Sequence, residues 1–135
     1  MSDFRAVTEA FSVSPQISIA DVAEAARQGF TRIINNRPDG EAADQPSSQE
    51  IAAAAKAAGI AYVDNPIVGR PSAGQAAEQS RAATAGGRTL AFCRSGTRSI
   101  AAWAMGELAA GRSSRVELLT LAQAAGYDLS LVLSS

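Results

Sequence analysis

The chain has no histidine and only one cysteine in its 135 residues. Without histidine, a zinc site lacks its commonest nitrogen ligand and no imidazole can act as general base. One cysteine excludes an internal disulfide. Aromatic residues make up only 5%, so the core has to come from Ala, Val, Ile and Leu, with thin helices lying close on a sheet. The formal net charge is −1, which argues against general nucleic-acid binding, a process driven by phosphate neutralisation. No apolar run approaches the ~20 residues of a membrane-spanning helix. The segment Met1-Ser2-Asp3-Phe4-Arg5 is not followed by the apolar core of a signal peptide. The expectations are no membrane insertion, a cytoplasmic location and no cofactor.

Hydrophobic residues make up 47% and charged residues 19%, enough to pack one domain over residues 1–135. Strand-like and helical segments alternate. Strands are predicted at Ala10–Val13, Phe30–Ile34, Ile60–Val63 and Arg88–Phe92. Ser18 with Asp21, Ser47 with Glu50, Ser72 with Gln75 and Ser114 with Glu117 have capping-box spacing and start four helices. Gly29, Gly59, Gly86-Gly87 and Gly126 stop them. A further helix runs from the cysteine loop to about Ala110, and Asp128 starts a short one over Leu129–Leu133. Such alternation predicts an α/β fold of three layers, with a four-stranded, mainly parallel sheet between helices. Ligands in such folds bind beyond the carboxyl ends of the strands. The loops leaving those ends are Asn35–Gly40, Asp64–Pro71 and Cys93–Arg98.

The last of these loops carries the chemistry. Cys93-Arg94-Ser95-Gly96-Thr97-Arg98-Ser99 lies directly between the apolar run ending at Phe92 and a helical pattern starting at Ile100. A thiol there meets converging backbone N–H groups and the positive end of a helix dipole, which favour the reactive thiolate. Gly96 permits positive φ and close approach of a ligand. Arg98 offers a two-pronged fork to an oxyanion. A lone cysteine after a strand is by itself just a small buried hydrophobe; two arginines within five residues turn the balance toward a functional thiolate.

Two known loops are similar to this one. The loop of cysteine-dependent phosphatases is Cys-x5-Arg, usually after a His; that of rhodanese-type sulfurtransferases is commonly six residues long. Cys93 to Arg98 is Cys-x4-Arg and Phe92 precedes it. A phosphatase also wants a carboxylic acid near the leaving oxygen. The stretch 65–87 has no Asp, and its Glu78 falls in a predicted helix; Asp39 and Asp64 remain as candidates, neither in a matching motif. Transfer between thiols needs less acid help, so the residues lean toward sulfur.

Ile33 through Glu41, Tyr62 to Val68, Cys93 to Ser99 with Trp103, and Ala124 to Leu129 together resemble one family. These are the small bacterial sulfurtransferases with a phosphatase-like fold, also known as the phosphatase-like domain of β-lactamase-hydrolase-like proteins. The resemblance implies Cys93 as nucleophile and sulfur carrier, with the N–H groups of Arg94, Ser95, Gly96, Thr97 and Arg98 and the Arg98 side chain holding an anion. It implies that Arg94 meets the acidic end of a donor such as thiosulfate or glutathione persulfide, and that Ser99 either bonds Cys93 or caps the helix. Arg37 and Asp39 pair with each other, shape the pocket or belong to a structural turn. Arg70 is a rim residue or a solvated charge, and Trp103 a core or subunit contact. The implied partners are a small sulfur-containing anion or low-molecular-weight persulfide, and a persulfide dioxygenase or sulfide:quinone oxidoreductase. The expected reaction is sulfane-sulfur transfer to a thiol, sulfite or cyanide through a Cys93 persulfide. A phosphatase with a phosphocysteine intermediate and a non-enzymatic persulfide carrier remain as alternatives.

Overall fold

Four helices begin at the serines predicted to cap them. In a computed structural model describing residues 2–134, these are α1 (Ile19–Arg27), α2 (Ser48–Ala57), α3 (Ala73–Ala83) and α5 (Arg115–Ala124). Each cap hydroxyl accepts from the N–H three residues on, and that residue's side chain accepts from the cap N–H. Two otherwise orphaned donors are thereby satisfied at each start. The helix after the cysteine loop, α4 (Thr97–Ala109), differs: it begins at Gly96 with no side-chain cap.

The strands are β1 (Arg5–Ala6), β2 (Phe11–Ser14), β3 (Arg32–Asn35), β4 (Ala61–Asp64) and β5 (Thr89–Phe92). They form one sheet in the order β1-β2-β5-β3-β4. All pairs are parallel except β1 with β2. The expected α/β architecture is present, with one strand more than predicted. The extra strand is β1, whose two residues are too few to show any period; it is recruited by pairing with Ser12 and Val13.

β5 lies between β2 and β3, and all four of its residues are buried. Its side chains alternate across the sheet. Leu90 and Phe92 join Val22, Ile33 and Ile51 in one cluster. Ala91 joins Ile34, Ile100, Trp103 and Leu118 in the other. Helices α1 and α2 therefore cover one face, and α4 and α5 the other. Trp103 is a core residue stacked on Phe11, with ring centroids 5.1 Å apart. The predicted helix over Leu129–Leu133 is replaced by turns. The Asp128 carboxylate accepts from the Ser130 N–H and hydroxyl, while Leu129 and Leu133 are buried and Leu131 is exposed.

The alanine-rich helices approach closely where a side chain is missing. A Cβ on Gly106 of α4 would run into the Ala76 carbonyl and the Ser80 side chain of α3. Both are parts of packed helices and cannot yield cheaply. Gly106→Ala is accordingly expected to lose about 1–3 kcal/mol of stability despite alanine's better helix propensity. Urea unfolding measures this; a gain in stability would show that the two helices can separate freely.

Candidate active site

The cysteine loop is pinned to both neighbouring strands. The Cys93 N–H donates to the Ser14 carbonyl after β2, and the Gln16 N–H donates to the Arg94 carbonyl. On the other side the Asn36 N–H donates to the Phe92 carbonyl. Cys93 is fully buried at the floor of the loop. The Gly96 N–H donates to its sulfur at 3.1 Å. Gly96 has φ +94°, a conformation that side chains resist. This turn lets the chain enter α4 directly from the loop, and the Thr97 N–H donates to the Ser95 hydroxyl at 3.4 Å. Arg94, Ser95 and Thr97 are exposed and form the rim, where the Ser95 hydroxyl donates to Thr97 Oγ1.

Arg98 is held from outside the loop. Its Nη1 donates to Glu41 Oε2 at 2.8 Å and to the Ile67 carbonyl at 2.7 Å; its Nη2 donates to Glu41 Oε1 at 2.9 Å. A guanidinium has five N–H donors in a fixed plane, and these bonds use three. The two left are Nε–H and one on Nη2, the side-on edge that suits two oxygens of one anion. The loops after β3 and β4 thus orient Arg98 beside the Cys93 sulfur, which after Glu41 helps to raise the guanidinium above its ordinary value.

Glu41 is the hub of this arrangement. It also accepts from Arg37 Nε at 3.0 Å. Hydrogen bonding from Arg98, with a further contribution from Arg37, lowers the Glu41 carboxyl from its ordinary value of 4.5 to about 2. Arg37 is buried, and its Nη1 donates to Gln16 Oε1. Arg37 and Asp39 do not pair with each other: Asp39 Oδ1 accepts from the Ser48 N–H at the start of α2. Their side-chain bonds go to the scaffold of the loop.

A buried amide network braces the same end of the sheet. Gln79 of α3 exchanges hydrogen bonds with Asn36, accepts from Asn65 and donates to the Ser99 carbonyl. All four residues are buried. The Ser99 hydroxyl is buried with no hydrogen-bond partner among the described residues, so it neither bonds Cys93 nor caps α4. Asp64 sits exposed at the end of β4, an edge strand separated from β5 by β3. Arg70 donates to the Val132 carbonyl. Among the described residues no group of three or more metal-ligating side chains occurs, and no helix is long and apolar enough to cross a membrane.

Glu41, Gln16, Gln79 and Tyr127 received no role from the sequence. Glu41 lies four residues after Arg37 in a polar turn, a spacing that pairs opposite charges only if the turn closes. Gln79 had one visible signal: a long polar side chain at helical spacing from Ala76, Ala82 and Ala83.

Comparison with known proteins places this site in a recognised setting. The family described as beta-lactamase hydrolase-like protein, phosphatase-like domain, matches residues 3–111. A beta-lactamase hydrolase-like protein of Xylella fastidiosa is 38% identical over 125 residues, covering 91% of this chain and 29% of that protein. The chain therefore spans less than a third of that relative's length. A crystal structure of a candidate phosphatase from Neisseria meningitidis superimposes with a TM-score of 0.82 at 31% identity, covering 97% of this chain and 94% of the other. The kinase associated phosphatase, solved with serine in place of its catalytic-site cysteine, shares the fold: TM-score 0.71 at 16% identity, covering 93% of this chain and 83% of the other.

Two measurements test the site's electrostatics and packing. Glu41 is held below its ordinary value, so the stability it contributes is full at neutral pH. That contribution is lost as pH falls from about 4.5 to about 2. The gap in Tm between wild type and Glu41→Gln should narrow across that window; a constant gap would show that the clamp does not depend on the carboxylate charge. Ser99→Ala removes an unpaired buried hydroxyl and is expected to stay within about 1 kcal/mol of wild-type stability. A much larger loss would reveal a bonded hydroxyl.

Proposed function

The chain belongs to the phosphatase-like-domain family of beta-lactamase hydrolase-like proteins, and on that footing we propose that it is a cysteine-dependent hydrolase of small phosphate monoesters. The observation that carries this is the arrangement of Cys93 at the start of α4, with the Gly96 N–H on its sulfur and the Arg98 guanidinium beside it. Near-complete superposition on the Neisseria phosphatase structure supports phosphate esters ahead of the sulfur transfer toward which the residues leaned.

In the first step the Cys93 thiolate attacks phosphorus. An S–P bond forms, the P–O bond to the alcohol breaks, and the leaving oxygen takes both bonding electrons. The loop N–H groups and Arg98 bear on the phosphoryl oxygens, where charge is concentrated in the transition state. In the second step water attacks phosphorus, the S–P bond breaks, and the thiolate returns with inorganic phosphate released. Burial of Cys93 keeps competing water from the sulfur until a substrate has filled the cradle. The carboxyl group bonded to the loop, Glu41, is held ionised by Arg98 and has no proton to donate at neutral pH, while Asp39 is bonded to α2 and Asp64 is at an exposed edge. Leaving groups stable as anions, such as aryl oxides, therefore suit the site better than alkyl alcohols.

Sulfane-sulfur transfer is the second reading, favoured by the same lack of an acid and by the six-residue loop. The Cys93 thiolate would attack the outer sulfur of thiosulfate, forming a persulfide as sulfite leaves. An acceptor thiolate would then take that sulfur and free Cys93. Under this reading the partner is a low-molecular-weight persulfide, processed beside a persulfide dioxygenase or sulfide:quinone oxidoreductase in the cytoplasm.

Side-by-side turnover of p-nitrophenyl phosphate, an alkyl phosphate and thiosulfate by wild type and Cys93→Ser decides between them. Hydrolysis of the aryl ester, much slower hydrolysis of the alkyl ester, and loss of both in Cys93→Ser are expected. Aryl phosphate turnover that survives Cys93→Ser would overturn the mechanism. Sulfur transfer without ester hydrolysis, with one sulfur atom added to the intact mass of wild type, would replace the hydrolase with the transferase.

A further inference from the structure

The peptide between Ser95 and Gly96 is gripped at both ends. Its N–H, on Gly96, donates to the Cys93 sulfur at 3.1 Å. Its carbonyl, on Ser95, accepts from the Tyr127 hydroxyl at 2.8 Å. A trans peptide is planar, with its N–H and C=O pointing in opposite directions. Pulling the carbonyl outward therefore aims the N–H inward.

Nothing local enforces that direction. Glycine adopts positive and negative φ with similar ease, so the Ser95–Gly96 plane can turn over at small backbone cost. Turned over, it would set a carbonyl oxygen against the sulfur, and like partial charges would repel the thiolate. The choice between the two orientations falls to a group outside the loop. Tyr127 is fitted for it. Its hydroxyl occupies the space where a Gly96 side chain would stand, and its N–H is tied to the Ala122 carbonyl at the end of α5. The Arg5 guanidinium of β1 lies 5.2 Å from its ring centroid. Burial raises the phenol above its ordinary value, so it remains a donor at neutral pH.

We propose that Tyr127 is a positioning residue for Cys93: by holding the Ser95 carbonyl, it keeps the Gly96 N–H turned onto the sulfur. It touches neither substrate nor sulfur. The inference rests on Cys93 being the nucleophile and is independent of which anion it attacks. Tyr127 also lies beyond residues 3–111, the part matched by the family, so this support comes from the C-terminal segment.

The test is Tyr127→Phe, which keeps the ring and removes only the donor. Two readouts on the substrate-free protein are used, with thermal unfolding as a control. One is the Gly96 amide resonance in protein labelled with ¹⁵N-glycine. The other is the rate at which iodoacetamide alkylates Cys93, the sole cysteine, followed by intact mass at neutral pH. Loss of a hydrogen bond to a charged sulfur should slow alkylation roughly tenfold, and the Gly96 amide should move more than any other glycine's. An unchanged Gly96 resonance and alkylation rate would overturn the proposal, as would a Tyr127→Phe protein that fails to fold, which would assign the residue to core stability. Absence of ester hydrolysis in wild type would defeat the hydrolase reading and leave these two readouts to decide the proposal.

Discussion

The first turn of α4 starts at a glycine, which has no side chain with which to cap it. A helix start buried beneath a loop cannot leave its donors empty, because each unmet donor costs about 1–3 kcal/mol. The other four helices solve this with serine and an acid or amide three residues on. At α4 the sulfur of Cys93 takes the Gly96 N–H and the Ser95 hydroxyl takes the Thr97 N–H at 3.4 Å. The cap of α4 is thus shared between a sulfur and a hydroxyl of the loop itself.

Holding that start in place is the task of much of the surrounding fold. β5 delivers Cys93 from the middle of the sheet, with a strand on either side to anchor the loop. Gln79 reaches from α3 to the loops after β3 and β4 and to the Ser99 carbonyl. Glu41 and Ile67 orient Arg98 from two separate loops. These contacts join segments far apart in sequence, so the site is a product of the tertiary structure more than of the seven-residue motif.

Local chemistry made much of this legible beforehand. The four capping boxes, the four parallel strands and the place of Cys93 between a strand and a helix follow from spacing rules that act within a few residues. What was missed depends on closure over long distances. β1 has two residues and exists because β2 offers it an edge. Asp128 accepts from Ser130 and makes a turn, although the apolar residues after it looked helical. For Arg37 and Asp39 the sequence left a pair, a pocket wall and a structural turn open, and the fold sends one to Glu41 and the other to α2. The partners of Arg98 come from 57 and 31 positions away, and no local pattern could have chosen them.

Cys93 is the only cysteine among the 135 residues, and it lies at the bottom of its loop with no solvent exposure. This has a redox consequence. A sulfenic acid formed on that sulfur has no second thiol in the chain with which to condense, so the protein cannot protect it as an internal disulfide. Reduction has to come from a small external thiol entering by the substrate's own route. The narrow, donor-lined floor that makes the sulfur selective in its chemistry also makes occupancy by an anion its shield against oxidants.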